Sequence, residues 1–326
     1  MKKYQTHNRM RDLLADNALL LPALSRFGIS LGFGDRSVGE VCAAAGVDVD
    51  TFLAVTNFIT GHRDIPSGSL SVPTLVSYLK SAHNYYLDYL LPNIRRRLID
   101  AISTVNKSTD ISLLILKFYD EYVEEVHRHM DFENTLVFNY VEGLLNGIKH
   151  PDFTISKFKD NHKPIAEKLN EIKDILICHF TTDSARVDLL NSLLFDIVVC
   201  ERDLITHCRL EDELFIPAIE ALEQESGCLK DCVEEDDSSV DAASSMLDDN
   251  GDIVLTPRER DIIGCIARGM QNKEIADRLF LSVHTVATHR RNICSKLNIH
   301  SASGMTIYAI LHGILPIDEG EALIHA

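Results

Sequence analysis

The sequence contains no tryptophan, no Cys-x-x-Cys pair and no apolar run approaching the roughly 20 residues that a membrane-spanning helix needs. The first residues lead directly into a polar stretch and include no hydrophobic signal-peptide segment. Eight cysteines are scattered along the chain, as is typical of reduced cytosolic proteins and not of disulfide-stabilised secreted ones. We therefore expect a cytoplasmic protein that does not contact a membrane.

Helical periodicity dominates what is present. Apolar residues recur at three- and four-residue spacing in long segments without glycine or proline, and no convincing strand pattern occurs. The sequence therefore predicts an all-α protein. Four long segments, joined by short breaks, favour an up-down four-helix bundle: 75–102, 110–146, 155–180 and 184–223.

Charge is distributed unevenly along the chain. The whole sequence has a net charge of −17, and residues 223–253 contain eleven acids and one lysine. Residues 254–315 instead contain eight Lys or Arg and four acids, a net +4, which suits a tethered nucleic-acid-binding module. The predicted domains are a small helical unit (1–65), the helical bundle (75–223), a flexible acidic linker (224–253) and a helix-turn-helix (254–315).

The first helix of the predicted helix-turn-helix has clear N-terminal signals. Thr256 is a good N-cap, Pro257 suits the first helical position, and Glu259 completes a capping box. A second helix, 272–279, and a tight turn, 280–282, precede a third helix whose basic outer face suits the major groove. That face is predicted to show Thr285, Thr288, Arg290, Arg291 and Lys296.

This segment resembles the LuxR-type DNA-binding domain over about 60 residues. The matching positions are Leu-Thr-x-Arg-Glu (255–259), Gly269, Asn-Lys-Glu-Ile-Ala (272–276), Leu279, Ser282, Thr-Val (285–286), His289, Asn-Ile (292–293) and Lys-Leu (296–297). The resemblance implies that Ala287, Thr288 and Arg291 face DNA, and we expect Lys273 and Arg290 to contact phosphates. Ala302 stands where the family usually has arginine. The last helix, 305–311, often forms a dimer contact in this family, so we expect a homodimer.

Histidines and glutamates mark the bundle as a candidate metal site. His129 with Glu133, and His207 with Glu211, are four residues apart and project from inward-facing helix surfaces. The other two helices supply His83 and His162. Such a set suits two iron ions bridged by the glutamates. His127 precedes Asp131 with the same spacing, but lies on the more polar side of its helix.

The bundle resembles the hemerythrin-like domain of di-iron proteins that repair iron–sulfur clusters under nitrosative stress. The resemblance rests on His83 before a Leu-Leu-Pro, Asn161-His162, the two His-x-x-x-Glu pairs and the sequence that follows Glu211. It extends to the N-terminal unit through 26–29 and the following Val-Gly-Glu-Val-Cys. That unit departs from the family at Leu31-Gly32, where the family has adjacent cysteines, so a thiol-dependent role is not expected.

These features together predict a one-component transcriptional regulator, and not primarily an enzyme. Its carboxylate-bridged, non-haem iron pair would sense nitric oxide, oxygen or redox stress, and its output would be binding to double-stranded DNA. Two alternatives stay open at this stage. One is a stress-protection protein in which nitric oxide reduction or cluster repair is the function and DNA binding is secondary. The other is a binding-only protein in which DNA binding is constitutive and the bundle serves as a dimerisation scaffold.

Overall fold

The chain is helical in the part that the computed structural model describes, which confirms the all-α prediction. Within those residues there is no β-strand, and the only bridge pairs Arg9 with Ser37. The described residues are 3–62, 70–102, 109–148, 153–159, 167–179, 187–225, 255–297 and 299–316. The predicted linker, 224–253, lies outside them except for its first two residues.

Four short helices form the N-terminal segment. A capping box between Ser37 and Glu40 starts the third, and the Asp48 side chain accepts a hydrogen bond from the Thr51 N–H at the start of the fourth. Gly46, with φ of +67°, ends the third helix in the left-handed conformation that glycine adopts without strain. The helices are α1 (Met10–Asp16), α2 (Leu21–Arg26), α3 (Val38–Ala45) and α4 (Val49–Ile59).

The described residues of the region predicted to form the bundle include eight α-helices. The first, second and fourth predicted segments each contain two α-helices joined by one π-helical turn, and the described parts of the third are a helix on each side of residues 160–166. The helices are α5 (Val72–Tyr85), α6 (Leu91–Ile102), α7 (Thr109–Phe132), α8 (Phe138–Leu145), α9 (Ile155–Lys159), α10 (Glu167–His179), α11 (Val187–Leu210) and α12 (Ile216–Glu225). The π turns are π1 (Tyr86–Leu90), π2 (Glu133–Val137) and π3 (Glu211–Phe215).

The C-terminal helices begin where their capping residues predict. Thr256 and Glu259 form the expected capping box, and the Ser282 hydroxyl accepts the Thr285 N–H at 3.0 Å. Phe280 ends the second of these helices in the left-handed conformation, with φ of +55°. These helices are α13 (Pro257–Ala267), α14 (Asn272–Leu279), α15 (Val283–Leu297) and α16 (Ala302–Leu311).

Two compact units make up the chain, and helices α7 and α11 contribute residues to both. Unit 1 comprises Met1–Pro92, Val126–Ile165 and Arg202–Cys232. Unit 2 comprises Asn93–Glu125, Ala166–Glu201 and Val233–Ala326. No helix among the described residues is both long and apolar enough to cross a membrane.

The core of unit 1 draws on the N-terminal segment and on the helices that follow it. Phe27, at the end of α2, packs against Phe52 of α4 with ring centroids 5.1 Å apart and against Tyr78 of α5 at 4.7 Å. Because these rings are buried together, the N-terminal segment shares one apolar core with α5. Its helices therefore help to fix α5, which carries His83.

A buried ion pair also joins the N-terminal segment to α11. The Arg26 guanidinium donates to both carboxylate oxygens of Asp203, at 3.0 and 2.5 Å, and the side chains are 4% and 19% exposed. The guanidinium also lies over the ring of Tyr86, 5.1 Å from its centroid. Asp203 is one helical turn before His207, so this pair fixes a helix that carries a candidate ligand.

We predict that Arg26→Ala destabilises the protein by about 3–5 kcal/mol, because it leaves the carboxylate of Asp203 without its partner in a largely buried position. Arg95→Ala is the matched control, since Arg95 makes a similar two-bond pair with Asp120 on an exposed surface. That control should cost less than about 1 kcal/mol. Urea unfolding followed by far-ultraviolet circular dichroism measures both, and equal destabilisation would contradict the assignment.

Candidate metal centre and nucleic-acid interface

Four buried side chains of unit 1 converge at one point. They are His83 on α5, Glu133 at the start of π2, His207 on α11 and Glu211 at the start of π3. One ligand atom from each lies within 4.8 Å of the others, and each residue is at most 1% exposed. The structure therefore brings together four of the six predicted ligands in one cluster.

The two histidines face each other across this cluster. His83 Nε2 and His207 Nε2 are 3.1 Å apart, and Glu211 Oε1 lies 3.1 Å from His207 Nε2 and 3.9 Å from His83 Nε2. A neutral imidazole carries one N–H, so two facing nitrogens share at most one hydrogen bond, or direct their lone pairs at one cation.

Glu133 contacts two different histidines through its two oxygens. Its Oε2 lies 3.3 Å from His83 Nε2, and its Oε1 lies 3.1 Å from His129 Nε2, one turn earlier on α7. His129 is more open than the other members, at 15% exposure of its side chain. This is the geometry of a carboxylate placed between two positions, each with its own imidazole.

The surroundings of His83 favour the protonated, positively charged form of its imidazole. Burial lowers the pKa of His83, but the hydrogen bond to Glu211 and the charges of Glu133 and Glu211 outweigh it, so the pKa of His83 is raised. Two carboxylates in an apolar interior are costly unless a proton or a metal ion neutralises them.

Neighbouring side chains orient the histidines. Asn134 Oδ1 lies 2.9 Å from His83 Nδ1, and a hydrogen bond donated by Nδ1–H leaves the Nε2 lone pair of neutral His83 directed into the cluster. The Phe138 ring stacks on His83 at 5.6 Å, and the Tyr86 ring meets His207 edge-on at 5.6 Å. These aromatic contacts restrict the orientations of the two imidazole rings.

The π turns are a feature that the sequence reasoning missed. Two of them begin at the glutamates of the cluster, and π1 begins three residues after His83. Single π turns inside α-helices are rare and occur frequently at functional sites. The sequence carries no signal for these turns, because runs of consecutive buried residues also occur in regular helices of this chain, such as α13.

The remaining predicted ligand, His162, lies outside the described residues. His127, the residue with similar spacing, is exposed and is absent from the cluster. The chemistry of the described set fits a metal ion, because imidazole nitrogens and carboxylate oxygens converge in a buried place.

On the C-terminal module, three of the five predicted DNA-contacting residues are exposed: Lys273, Thr288 and Arg291. Ala287 is half-buried, and so is Arg290, whose Nη1 donates to Asn272 Oδ1 at 3.0 Å. This bond ties α15 to α14 and holds the guanidinium near Lys273.

The prediction that Lys296 lies on the outer face of the third helix was wrong. Lys296 is half-buried, and its Nζ lies 2.8 Å from Oε2 of Glu259, the glutamate of the α13 capping box. Burial raises the pKa of Glu259, but the hydrogen bonds from Lys296 and Thr256 outweigh it, so that pKa is lowered. Lys296 therefore joins α15 to α13 inside the module.

Two family models match the chain. Residues 253–309 match the model described as "Bacterial regulatory proteins, luxR family", and residues 74–226 match the "Hemerythrin HHE cation binding domain". No solved structure matches.

Similar curated proteins share only a short segment with this chain. The transcriptional regulatory protein MctR of Rhizobium johnstonii is 48% identical over 67 residues, covering 21% of this chain and 31% of the relative. The Fimbriae Z protein of Salmonella typhimurium is 44% identical over 64 residues, covering 20% and 30%. The oxygen regulatory protein NreC of Staphylococcus carnosus is 44% identical over 62 residues, covering 19% and 29%.

The chain thus spans less than a third of the length of these relatives. The two family matches confirm the LuxR-type and hemerythrin-like resemblances read from the sequence. The protein carries a hemerythrin HHE cation-binding domain in its middle and a LuxR-type helix-turn-helix at its C-terminus.

Proposed function

We propose that this protein is a transcriptional regulator that binds double-stranded DNA and senses nitric oxide, oxygen or redox stress through two iron ions in its HHE domain. The observation that carries this proposal is Glu133, whose oxygens face His83 and His129 separately. Placed on the same chain as a LuxR-type module, such a site suits a sensor joined directly to its output.

The proposed ligands divide into two groups around the glutamates. His83, His207 and Glu211 Oε1 approach one another on one side. His129 lies at the other oxygen of Glu133, where we propose that His162 completes the set. Mixed imidazole and carboxylate donors suit iron, whereas closed zinc sites are four-coordinate and often include cysteine.

Two iron ions held by these residues would supply an open coordination position and a change of redox state. The neighbouring side chains hold the ligands in place. Asn134 fixes the tautomer of His83, and Phe138 and Tyr86 restrict the orientations of the imidazole rings of His83 and His207. The partial exposure of His129 makes its side of the cluster the open one, by which a diatomic ligand would enter.

DNA recognition is assigned to the exposed side chains of the helix-turn-helix. In this proposal the exposed Thr288 and Arg291 of α15 reach base edges together with the half-buried Ala287, while Lys273 and the half-buried Arg290 contact phosphates. The net +4 of residues 254–315 supports this assignment. Two of the similar proteins are regulators by their printed names, one of them an oxygen regulator, and a homodimer would engage two half-sites.

We predict that anaerobic loading with ferrous iron gives about two iron ions per chain, as in other bundle-core di-iron sites. Glu133→Ala should lose most of both, because its carboxylate faces both positions, and His129→Ala should lose about one. Metal analysis after gel filtration measures this, with circular dichroism as the check on folding.

His127→Ala is the matched control, since it removes an exposed histidine from the same helix and should leave the iron content unchanged. Full iron loading of Glu133→Ala, or equal losses in the His127 and His129 variants, would contradict the proposed site.

We predict two distinct effects on DNA binding, measured on sites enriched from a random-sequence double-stranded DNA library. Arg291→Ala should cost about 1–3 kcal/mol of binding free energy and relax specificity at one base pair. Lys273→Ala should weaken binding to all sequences alike and lower the slope of log affinity against log salt by about one.

Arg95→Ala removes the same charge from an exposed position in the bundle and serves as the control. If all three variants weaken binding equally, net charge rather than the helix-turn-helix determines affinity, and the assignment fails.

A further inference from the structure

Within unit 2, the residues just before α16 donate hydrogen bonds to a carboxylate of α10. Glu171 is 1% exposed, and its Oε1 accepts the N–H of His300 at 2.7 Å and the N–H of Ser301 at 3.1 Å. Its Oε2 accepts the Ser301 hydroxyl at 2.5 Å. One side chain of the HHE domain thus receives three hydrogen bonds from the DNA-binding module.

These hydrogen bonds offset the free energy needed to bury the Glu171 carboxylate. A buried carboxylate is tolerated when donors surround it, and the N-terminus of a helix adds a favourable dipole. The module does not need Glu171 to form α16, because the Ser301 hydroxyl also accepts the Gly304 N–H at 3.0 Å as the helix's own cap. The module can therefore leave α10 with α16 intact, whereupon water solvates the carboxylate.

A second carboxylate and a close backbone approach support the same contact. Glu121 of α7 accepts the Ser303 hydroxyl at 2.5 Å. At Gly304, an added Cβ would lie 2.8 Å from Glu171 Oε2, so glycine permits this approach. Beside these contacts, residues of α7, α13 and α16 line an open pocket of about 170 Å³.

The docked module still presents its recognition residues. Thr288 and Arg291 are exposed, so docking does not cover them with described residues. Docking instead affects DNA binding through electrostatic repulsion and through the orientation of the module. The whole chain carries −17 and residues 254–315 carry +4, which leaves −21 on the rest of the chain. A module fixed to an acidic body approaches DNA against repulsion and in one imposed orientation.

We propose that α7 and α10 form a docking surface for residues 300–304 of the same chain, and that Glu171 and Glu121 hold the DNA-binding module there in a state of low DNA affinity. Release from this surface raises DNA affinity. Glu121 lies on α7, the helix that also carries His129, so the docking surface and the candidate metal centre share an element. The effect on DNA rests on the proposed function, whereas the docking itself does not.

The test compares Glu171→Gln with Glu142→Gln in the full chain. Glutamine keeps the shape of Glu171 but removes its charge, and Glu142 is an exposed carboxylate in unit 1 whose loss changes net charge equally. Hydrogen exchange of peptides spanning His300 and Ser301 reports docking without any DNA. Affinity for the enriched double-stranded sites reports the consequence.

We expect Glu171→Gln to exchange these amides about tenfold faster and to bind DNA about tenfold more tightly, with Glu142→Gln like the unaltered protein in both respects. Unchanged exchange in Glu171→Gln would overturn the docking. Faster exchange with affinity no higher than that of Glu142→Gln would overturn the inhibitory role.

Ser303→Ala provides a second variant if Glu171→Gln does not fold. It removes only the bond to Glu121 and should shift both readouts in the same direction by a smaller factor, and no shift in either would contradict the proposal. If no form of the protein binds the DNA library, the proposed function fails, and amide exchange alone then decides whether the module is docked.

Discussion

The buried carboxylate of Glu133, held between His83 and His129, is the constraint on which the rest of unit 1 depends. An anionic group in an apolar interior must be matched by cations or donors, so several helices have to present their imidazoles at one point. The aromatic packing of the N-terminal segment fixes α5, and the pair of Arg26 with Asp203 fixes α11. Both interactions position helices that carry histidines of the cluster.

Buried carboxylates outside the cluster are matched by protein donors in both units, as with Glu223 in unit 1, which accepts the Ile155 N–H at 2.9 Å. Glu171 receives backbone N–H groups and a hydroxyl, and Glu259 receives Lys296 with the Thr256 cap, so protein donors satisfy both. Glu133 and Glu211 instead meet imidazole nitrogens, which donate or coordinate according to their protonation. The donors around each carboxylate thus distinguish the candidate metal centre from carboxylates that protein donors satisfy.

Features that depend on residues close together in the sequence were predicted correctly. The capping box of Thr256 and Glu259, and the four-residue spacing of His207 and Glu211, follow directly from helical geometry. Contacts between residues far apart in sequence were not accessible, as with Lys296 on Glu259 or His300 on Glu171. The π turns were also missed, because an added residue within a helix changes its period only locally. The assignment of all six metal ligands, including His162, and the DNA-contacting roles on α14 and α15 stay predictions.

The central claim is that the state of the HHE domain alters DNA binding by the same chain. The most direct measurement is the DNA affinity of the iron-loaded protein when reduced, when oxidised and after treatment with nitric oxide, compared with His129→Ala under the same conditions. The account predicts that affinity differs between at least two of these states, and that the difference disappears in His129→Ala. Identical affinity of the iron-loaded protein in all three states would contradict it.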